Sequence, residues 1–220
     1  EATDDSVADK RDRVAAVEEF VEEATLIAAD QPNLSVTAVA AGLRNPGRAI
    51  GLHFVDPAAD PLVEIVVADQ TTTDSLERVR SFVEELDCES LVVGDTPGFV
   101  TDRLDLAMIV EAARMVDARV ASVPDVDRSM TVARKHPQGP LELADEIGLD
   151  RVVQRLEDLA DRLDGRFAPP GILHEKVAAG STGKRAGEGF YVWENGEPAE
   201  PAAPKPTVQT REQRTDGPGR

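Results

Sequence analysis

The chain has 220 residues, 41% of them apolar, enough to build one large or two small domains around a genuine core. Its 42 acidic residues against 24 basic ones give a net charge of −18, which excludes nucleic-acid phosphates and anionic lipid as partners because like charges repel at long range. The same acid excess, with few aromatic residues, suits a protein kept soluble in concentrated salt, where screening removes self-repulsion, and points to a halophilic source.

No charged-then-apolar leader and no apolar run approaching about 18 residues is found, so neither secretion nor membrane spanning is indicated and the cytoplasm is the expected location. The one cysteine, Cys88, lies between Asp87 and Glu89, which disfavour a thiolate, so it is expected to be a plain, partly buried thiol.

In chain order, apolar residues at Val7, Val14, Val17, Phe20, Val21 and Ala24 recur at helical spacing and predict a helix over 7–24. Leu26 to Ala29 reads as a short strand. After a loop at Asp30-Gln31-Pro32-Asn33, Ser35 or Thr37 caps a small helix ending at Gly42. Ala49 to Val55 and Leu62 to Val67 are β-rich runs separated by Asp-Pro turns, which places His53 and Glu64 on neighbouring strands. A helix from about Thr73 to Glu85 and a strand from Ser90 to Val93 complete an alternating pattern, which argues for a largely parallel sheet.

From Pro97-Gly98-Phe99 onward the period is helical, with stripes over 104–116, 126–133, 141–147, 152–163 and 172–179. Beyond Glu194, several prolines and no apolar period leave nothing to bury, so disorder is expected. The expected fold is an α/β, partial Rossmann-type domain over 1–95, an all-α domain over 96–193 and a disordered tail over 194–220.

Several segments in order identify a family: Ser35-Val36-Thr37, Gly51-Leu52-His53-Phe54, Val63-Glu64-Ile65-Val66, Gly94-Asp95-Thr96-Pro97-Gly98-Phe99, His136-Pro137-Gln138-Gly139-Pro140 and Gly187-Glu188-Gly189-Phe190-Tyr191. Through them the chain resembles the L-3-hydroxyacyl-CoA dehydrogenases from residue 1 to about Trp193. The resemblance implies NAD-dependent oxidation of the 3-hydroxyl of an acyl-CoA, as in fatty-acid β-oxidation. It also implies homodimerisation through the helical domain.

Oxidising a hydroxyl needs a base for its proton, and imidazole suits this because its pKa lies near neutrality. His53 matches the family's catalytic histidine, and Glu64 the carboxylate that orients the ring and stabilises its protonated form. The resemblance further places Asn33 and Asp102 against the substrate and Glu1, Lys10, Asp56 and Arg185 near the cofactor. His136 and His174 are expected to be a structural corner residue and an exposed helix residue. Neither has neighbours at metal-ligand spacing, and no metal is expected.

The chain departs from the family at several of these places. Asp30-Gln31-Pro32-Asn33-Leu34 replaces an Asn-Thr-Ser-Ser-Leu run whose serine bonds the substrate oxygen, leaving Asn33 as the substitute donor. Asp102 replaces an asparagine thought to contact the substrate carbonyl, and an ionised carboxylate accepts but cannot donate a hydrogen bond. Asp56 also replaces an asparagine, and the loop from Asp56 to Asp60 is one residue shorter than the family's. The Gly-x-Gly-x-x-Gly turn that lets backbone amides reach a pyrophosphate occurs nowhere in the chain. Glu1 falls where the family is already inside its nucleotide domain, so the sequence reads as an amino-terminally incomplete enzyme.

Three functions are compatible with these features. The first is a 3-hydroxyacyl-CoA dehydrogenase, or a fragment of one with impaired stand-alone activity. The second is a non-catalytic remnant that dimerises or binds acyl-CoA. The third is a related dehydrogenase of a non-CoA hydroxy acid or sugar acid, weakly favoured by the acidic surface.

Overall fold

A computed structural model describes residues 6–30, 34–55 and 62–201. The chain divides into two compact units, Glu1–Leu104 with Asp161–Leu163, and Asp105–Ala160 with Asp164–Arg220.

The first unit runs α1 (Val7–Glu18), β1 (Ile27–Ala29), α2 (Val36–Ala40), β2 (Ala49–Phe54), β3 (Leu62–Val67), α3 (Thr73–Glu85) and β4 (Glu89–Gly94), and it contains the start of α4 (Thr101–Asp117). The strands form one sheet in the order β1-β2-β3-β4. The pairings β1–β2 and β3–β4 are parallel, whereas β2 and β3 are antiparallel. The expected largely parallel sheet therefore carries a hairpin at its centre. The connection over 55–61 is shorter than the roughly dozen residues a parallel crossover needs.

Alternation along the strands sends Ile50, Leu52, Val63 and Ile65 to one face, where Val79 and Val83 of α3 cover them. Ala49 and Val66 pack on the opposite face with Val14 of α1, Val36 and Val39 of α2, and Phe99. Gly51 on β2 permits this close approach, since a Cβ there would stand 2.7 Å from the Val66 Cβ and 2.9 Å from Val36 Cγ2. Ser35 caps α2 by accepting from the Ala38 amide, and Thr72 caps α3 by accepting from Ser75.

The helix expected over 7–24 stops at Glu18, and Val17 and Phe20 are exposed. Its buried residues are Lys10, Val14 and Glu18, one every four positions, so two of the three inward residues are charged. An apolar template misplaces that face. Glu18 is retained inside by Arg48, whose Nη2 donates to it at 2.8 Å.

The second unit contains most of α4, then α5 (Val123–Arg128) running into a π-turn at Ser129–Ala133, α6 (Pro140–Ile147), α7 (Leu149–Arg162) and α8 (Gly171–Ala178). Its core includes Ile109, Leu141, Leu149, Leu156, Leu173 and Phe190. It is not wholly helical. β5 (Tyr191–Glu194) and β6 (Glu197–Pro201) pair antiparallel through a two-residue turn in which Asn195 and Gly196 have φ of 53° and 86°. Asn-Gly is the favoured pair for a turn with two positive φ angles, and it carries residues 197–201 of the expected disordered tail into a strand. Residues 202–220 lie outside the described residues.

Two buried aspartates hold this unit's irregular segments. Asp127 accepts from the Leu141 amide at 2.9 Å and the Glu142 amide at 3.0 Å, capping α6 where Gly139 has no side chain to do so. It also accepts from the Tyr191 hydroxyl at 2.9 Å. Asp145 accepts from the amides of Phe190 and Tyr191 and from Trp193 Nε1, at 2.8, 2.9 and 2.9 Å. Asp127 thus fastens the Gly-Pro corner and, through the Tyr191 hydroxyl, reaches the Gly-Phe-Tyr segment that Asp145 holds by its amides.

Candidate active site

His53, near the end of β2, is the direct cross-strand partner of Glu64 on β3. Opposed residues of an antiparallel pair project from the same face, so the two side chains share one side of the sheet. The His53 ring is largely buried and lies 5.9 Å from the Phe99 ring, centroid to centroid, at 58°. Its Nδ1 stands 2.9 Å from Oδ1 of Asp30, the residue that follows β1. An ionised carboxylate can only accept, so this contact puts a hydrogen on Nδ1 and makes Nε2 the proton-accepting atom of the neutral ring.

Glu64 is completely buried. Its Oε1 accepts from the amides of Val100 and Thr101 at 3.1 and 2.9 Å and from the Thr101 hydroxyl at 3.1 Å. Its Oε2 has no hydrogen-bond partner among the described residues. The expected pair is therefore adjacent, but it is Asp30 that accepts the ring's hydrogen bond, and Glu64 caps the start of α4. Partial burial alone would lower the His53 pKa. The hydrogen-bonded Asp30 carboxylate and the charges of Asp102 and Glu64 outweigh it, and the ring titrates above its ordinary value.

The turn preceding α4 is built to bring these groups together. Gly98 and Phe99 have φ of 71° and 44°, reversing the chain after β4, and Arg103 donates from Nε and Nη2 to the Pro97 carbonyl at 3.1 and 3.0 Å. Asp95, just past β4, accepts from the Val36 and Thr37 amides at 3.0 and 2.7 Å and from the Ser35 hydroxyl at 2.7 Å. Carboxylates from the sheet thus occupy the first-turn amides of both α2 and α4.

Asp102 lies in the first turn of α4, partly buried, with its charge acting on His53. Lys10 is 1% exposed, inside the first unit rather than on its surface. Arg185 belongs to the second unit, exposed on the 3-10 turn Lys184–Ala186. Glu1, Asn33 and Asp56 lie outside the described residues. His174 is exposed on α8, while His136 is partly buried and its amide donates to the Met130 carbonyl. Cys88 is a partly buried free thiol. Among the described residues, no group of three or more His, Cys, Asp or Glu side chains is placed to hold a metal ion.

Sequence reasoning passed over Asp30, Asp95 and Thr101. Asp30 and Asp95 each stand immediately beyond the carboxyl end of a strand, the place where open α/β sheets gather their functional groups. That position was the available signal.

The sequence matches the model of the 3-hydroxyacyl-CoA dehydrogenase NAD binding domain over residues 1–96 and that of the same family's C-terminal domain over 98–193. It is 35% identical over 196 residues to a Bacillus subtilis protein named "Probable 3-hydroxybutyryl-CoA dehydrogenase", covering 88% of this chain and 68% of that one. It is also 35% identical over 175 residues to the 3-hydroxybutyryl-CoA dehydrogenase of Bradyrhizobium diazoefficiens, where the match covers 79% of this chain and 60% of the relative. The crystal structure of (S)-3-hydroxybutyryl-CoA dehydrogenase from Ralstonia eutropha superimposes with a TM-score of 0.84 at 32% identity, over 89% of this chain and 69% of that one. With both domain models matched in order across nearly all of residues 1–193, the chain belongs to the 3-hydroxyacyl-CoA dehydrogenase family.

Proposed function

We propose that this chain supplies the proton-transfer chemistry of an L-3-hydroxyacyl-CoA dehydrogenase, oxidising the C3 hydroxyl to a 3-oxo group in fatty-acid β-oxidation. The observation that carries the reading is His53, held on the same sheet face as Glu64 with its Nδ1 committed to a carboxylate. In that state Nε2 takes the hydroxyl proton, and the surrounding carboxylates stabilise the imidazolium formed. NAD is the hydride acceptor in this family resemblance. What this chain's own residues do in that reaction is take and hold the hydroxyl proton.

In this reading Asn33 and Asp102 meet the substrate, while Glu1, Lys10, Asp56 and Arg185 serve the cofactor. The burial of Lys10 makes it the weakest of these assignments. Impaired activity for the chain alone is part of the reading, on the departures from the family's residues at Pro32, Asp56 and Asp102. A cytoplasmic homodimer completes the proposal, supported by Val120 and Val132 of the helical unit, 65% and 57% exposed, as surface a second copy would cover. No helix among the described residues is long and apolar enough to cross a membrane.

The test is NADH formation from (S)-3-hydroxybutyryl-CoA by the full chain, alone and with an added polypeptide that carries a Gly-rich βαβ nucleotide segment. Turnover that appears or rises on addition supports the proposal. No turnover in either arm replaces it with the non-catalytic acyl-CoA-binding reading.

A further inference from the structure

We propose that Asp30, and not Glu64, is the positioning residue that fixes the ring and tautomer of His53 in this protein. The inference rests on the assignment of His53 as the proton acceptor made above, but it concerns a separable question, namely which carboxylate holds the ring.

Two carboxylates compete for that role, and the geometry divides them. Glu64 sits directly across the hairpin from His53, the position a cross-strand partner would use. Its Oε1 is already engaged by three donors from Val100 and Thr101, and its Oε2 bonds nothing among the described residues. Asp30 comes from the neighbouring strand β1, parallel to β2, and its Oδ1 lies 2.9 Å from Nδ1, a good distance for a charge-assisted hydrogen bond. Asp30 is also partly exposed, so its charge keeps some hydration and escapes the desolvation that a fully buried carboxylate incurs.

The consequence is a division of labour. Glu64 anchors the amino end of α4, with its charge still acting on His53 through space, and Asp30 sets which ring nitrogen carries the hydrogen. The charged groups acting on the ring are Asp30 after β1, Glu64 on β3 and Asp102 on α4, all of one sign. Removing the charge of Asp30 therefore lowers the His53 pKa most, because only that group also donates orientation through a direct bond. Oxidation requires the neutral ring, so its rate rises as pH passes upward through this pKa. Loss of Asp30 moves that limb to lower pH.

The experiment is nitrogen-15 NMR of the three histidines in the full chain across a pH titration, with His53 assigned from the signals missing in His53→Gln. The neutral His53 ring is expected to carry its hydrogen on Nδ1. Asp30→Asn should lower its pKa by about one unit or more, Glu64→Gln by less, and Asp30→Glu should restore most of the shift. A neutral ring protonated on Nε2, or a titration that Asp30→Asn leaves in place while Glu64→Gln displaces it, overturns the proposal. The tautomer measurement uses the unsubstituted protein, so it decides the question even if a variant fails to fold. Absent turnover with the Nδ1 pattern intact would contradict the functional reading and leave this assignment standing.

Discussion

Thr101 gives Glu64 two hydrogen bonds, one from its backbone amide at 2.9 Å and one from its hydroxyl at 3.1 Å, both ending on the same Oε1 atom. The first turn of α4 is thereby tied to the middle of the sheet by a buried carboxylate on β3. Glu64→Ala removes the acceptor for these donors and for the Val100 amide, and it should destabilise the protein by at least about 3 kcal/mol. Glu64→Gln keeps a carbonyl oxygen there and should cost less than half as much. Urea denaturation of both variants measures this, and equal losses would contradict the capping role.

Glu18 and Arg48 form a second buried pair, with side chains 5% and 7% exposed and Oε1 2.8 Å from Nη2. Arg48 also donates from Nη1 to the carbonyls of Glu22, Glu23 and Thr25, and Glu18 accepts from the Arg44 and Asn45 amides. Arg48→Ala leaves an uncompensated buried carboxylate and should cost about 3–5 kcal/mol. Burial raises the Glu18 pKa, but these donors and the Arg48 charge outweigh it and the net direction is down. A carboxyl depressed in the folded state stabilises above its unfolded pKa, and that stability is lost as pH falls through the folded value. Glu18→Gln should therefore flatten the acid limb of a stability–pH profile, and an unchanged limb would refute this.

The absence of a side chain at Gly51 is a packing requirement. In Gly51→Ala the new methyl group meets Val66 and Val36, forcing α2 away from β2 at a cost of about 1–3 kcal/mol. Thermal unfolding would show it as a lowered midpoint. A neutral or stabilising result would mean that α2 yields easily and does not fix the spacing beside the site.

Which parts of this were legible in the sequence depended on how local the deciding physics was. The runs 62–67 and 73–85 stand where alternation and helical spacing place them, and Ser35 caps α2 as its position before the helix implies. That His53 and Glu64 lie on neighbouring strands also follows from the two β-rich runs, whereas their antiparallel pairing does not, the alternating pattern pointing to a parallel sheet. The inward face of α1 was misread because it carries Lys10 and Glu18 beside Val14, and Glu18 is kept inside by a partner distant in sequence, Arg48. The roles of Asp30, Asp127 and Asp145 were hidden for the same reason, since each bonds groups at least 14 residues away. The β6 strand was missed for a different reason, the local Asn195-Gly196 signal having been outweighed by proline content.

A halophilic source, which we propose from the net charge of −18, carries its own prediction. Screening of self-repulsion should raise the unfolding midpoint steadily as potassium chloride is increased from low to molar concentration. A midpoint that falls, or does not change, would argue against that origin.

The most direct test of the central claim is a pH-resolved comparison of His53→Asn with the unsubstituted chain, each in the presence of the added nucleotide segment, with (S)-3-hydroxybutyryl-CoA and NAD. If His53 takes the hydroxyl proton, the substitution lowers turnover by about 10²–10⁴-fold and abolishes the rise in rate through the histidine's raised pKa. Turnover within a few-fold of the unsubstituted chain, with the same pH limb, would contradict it.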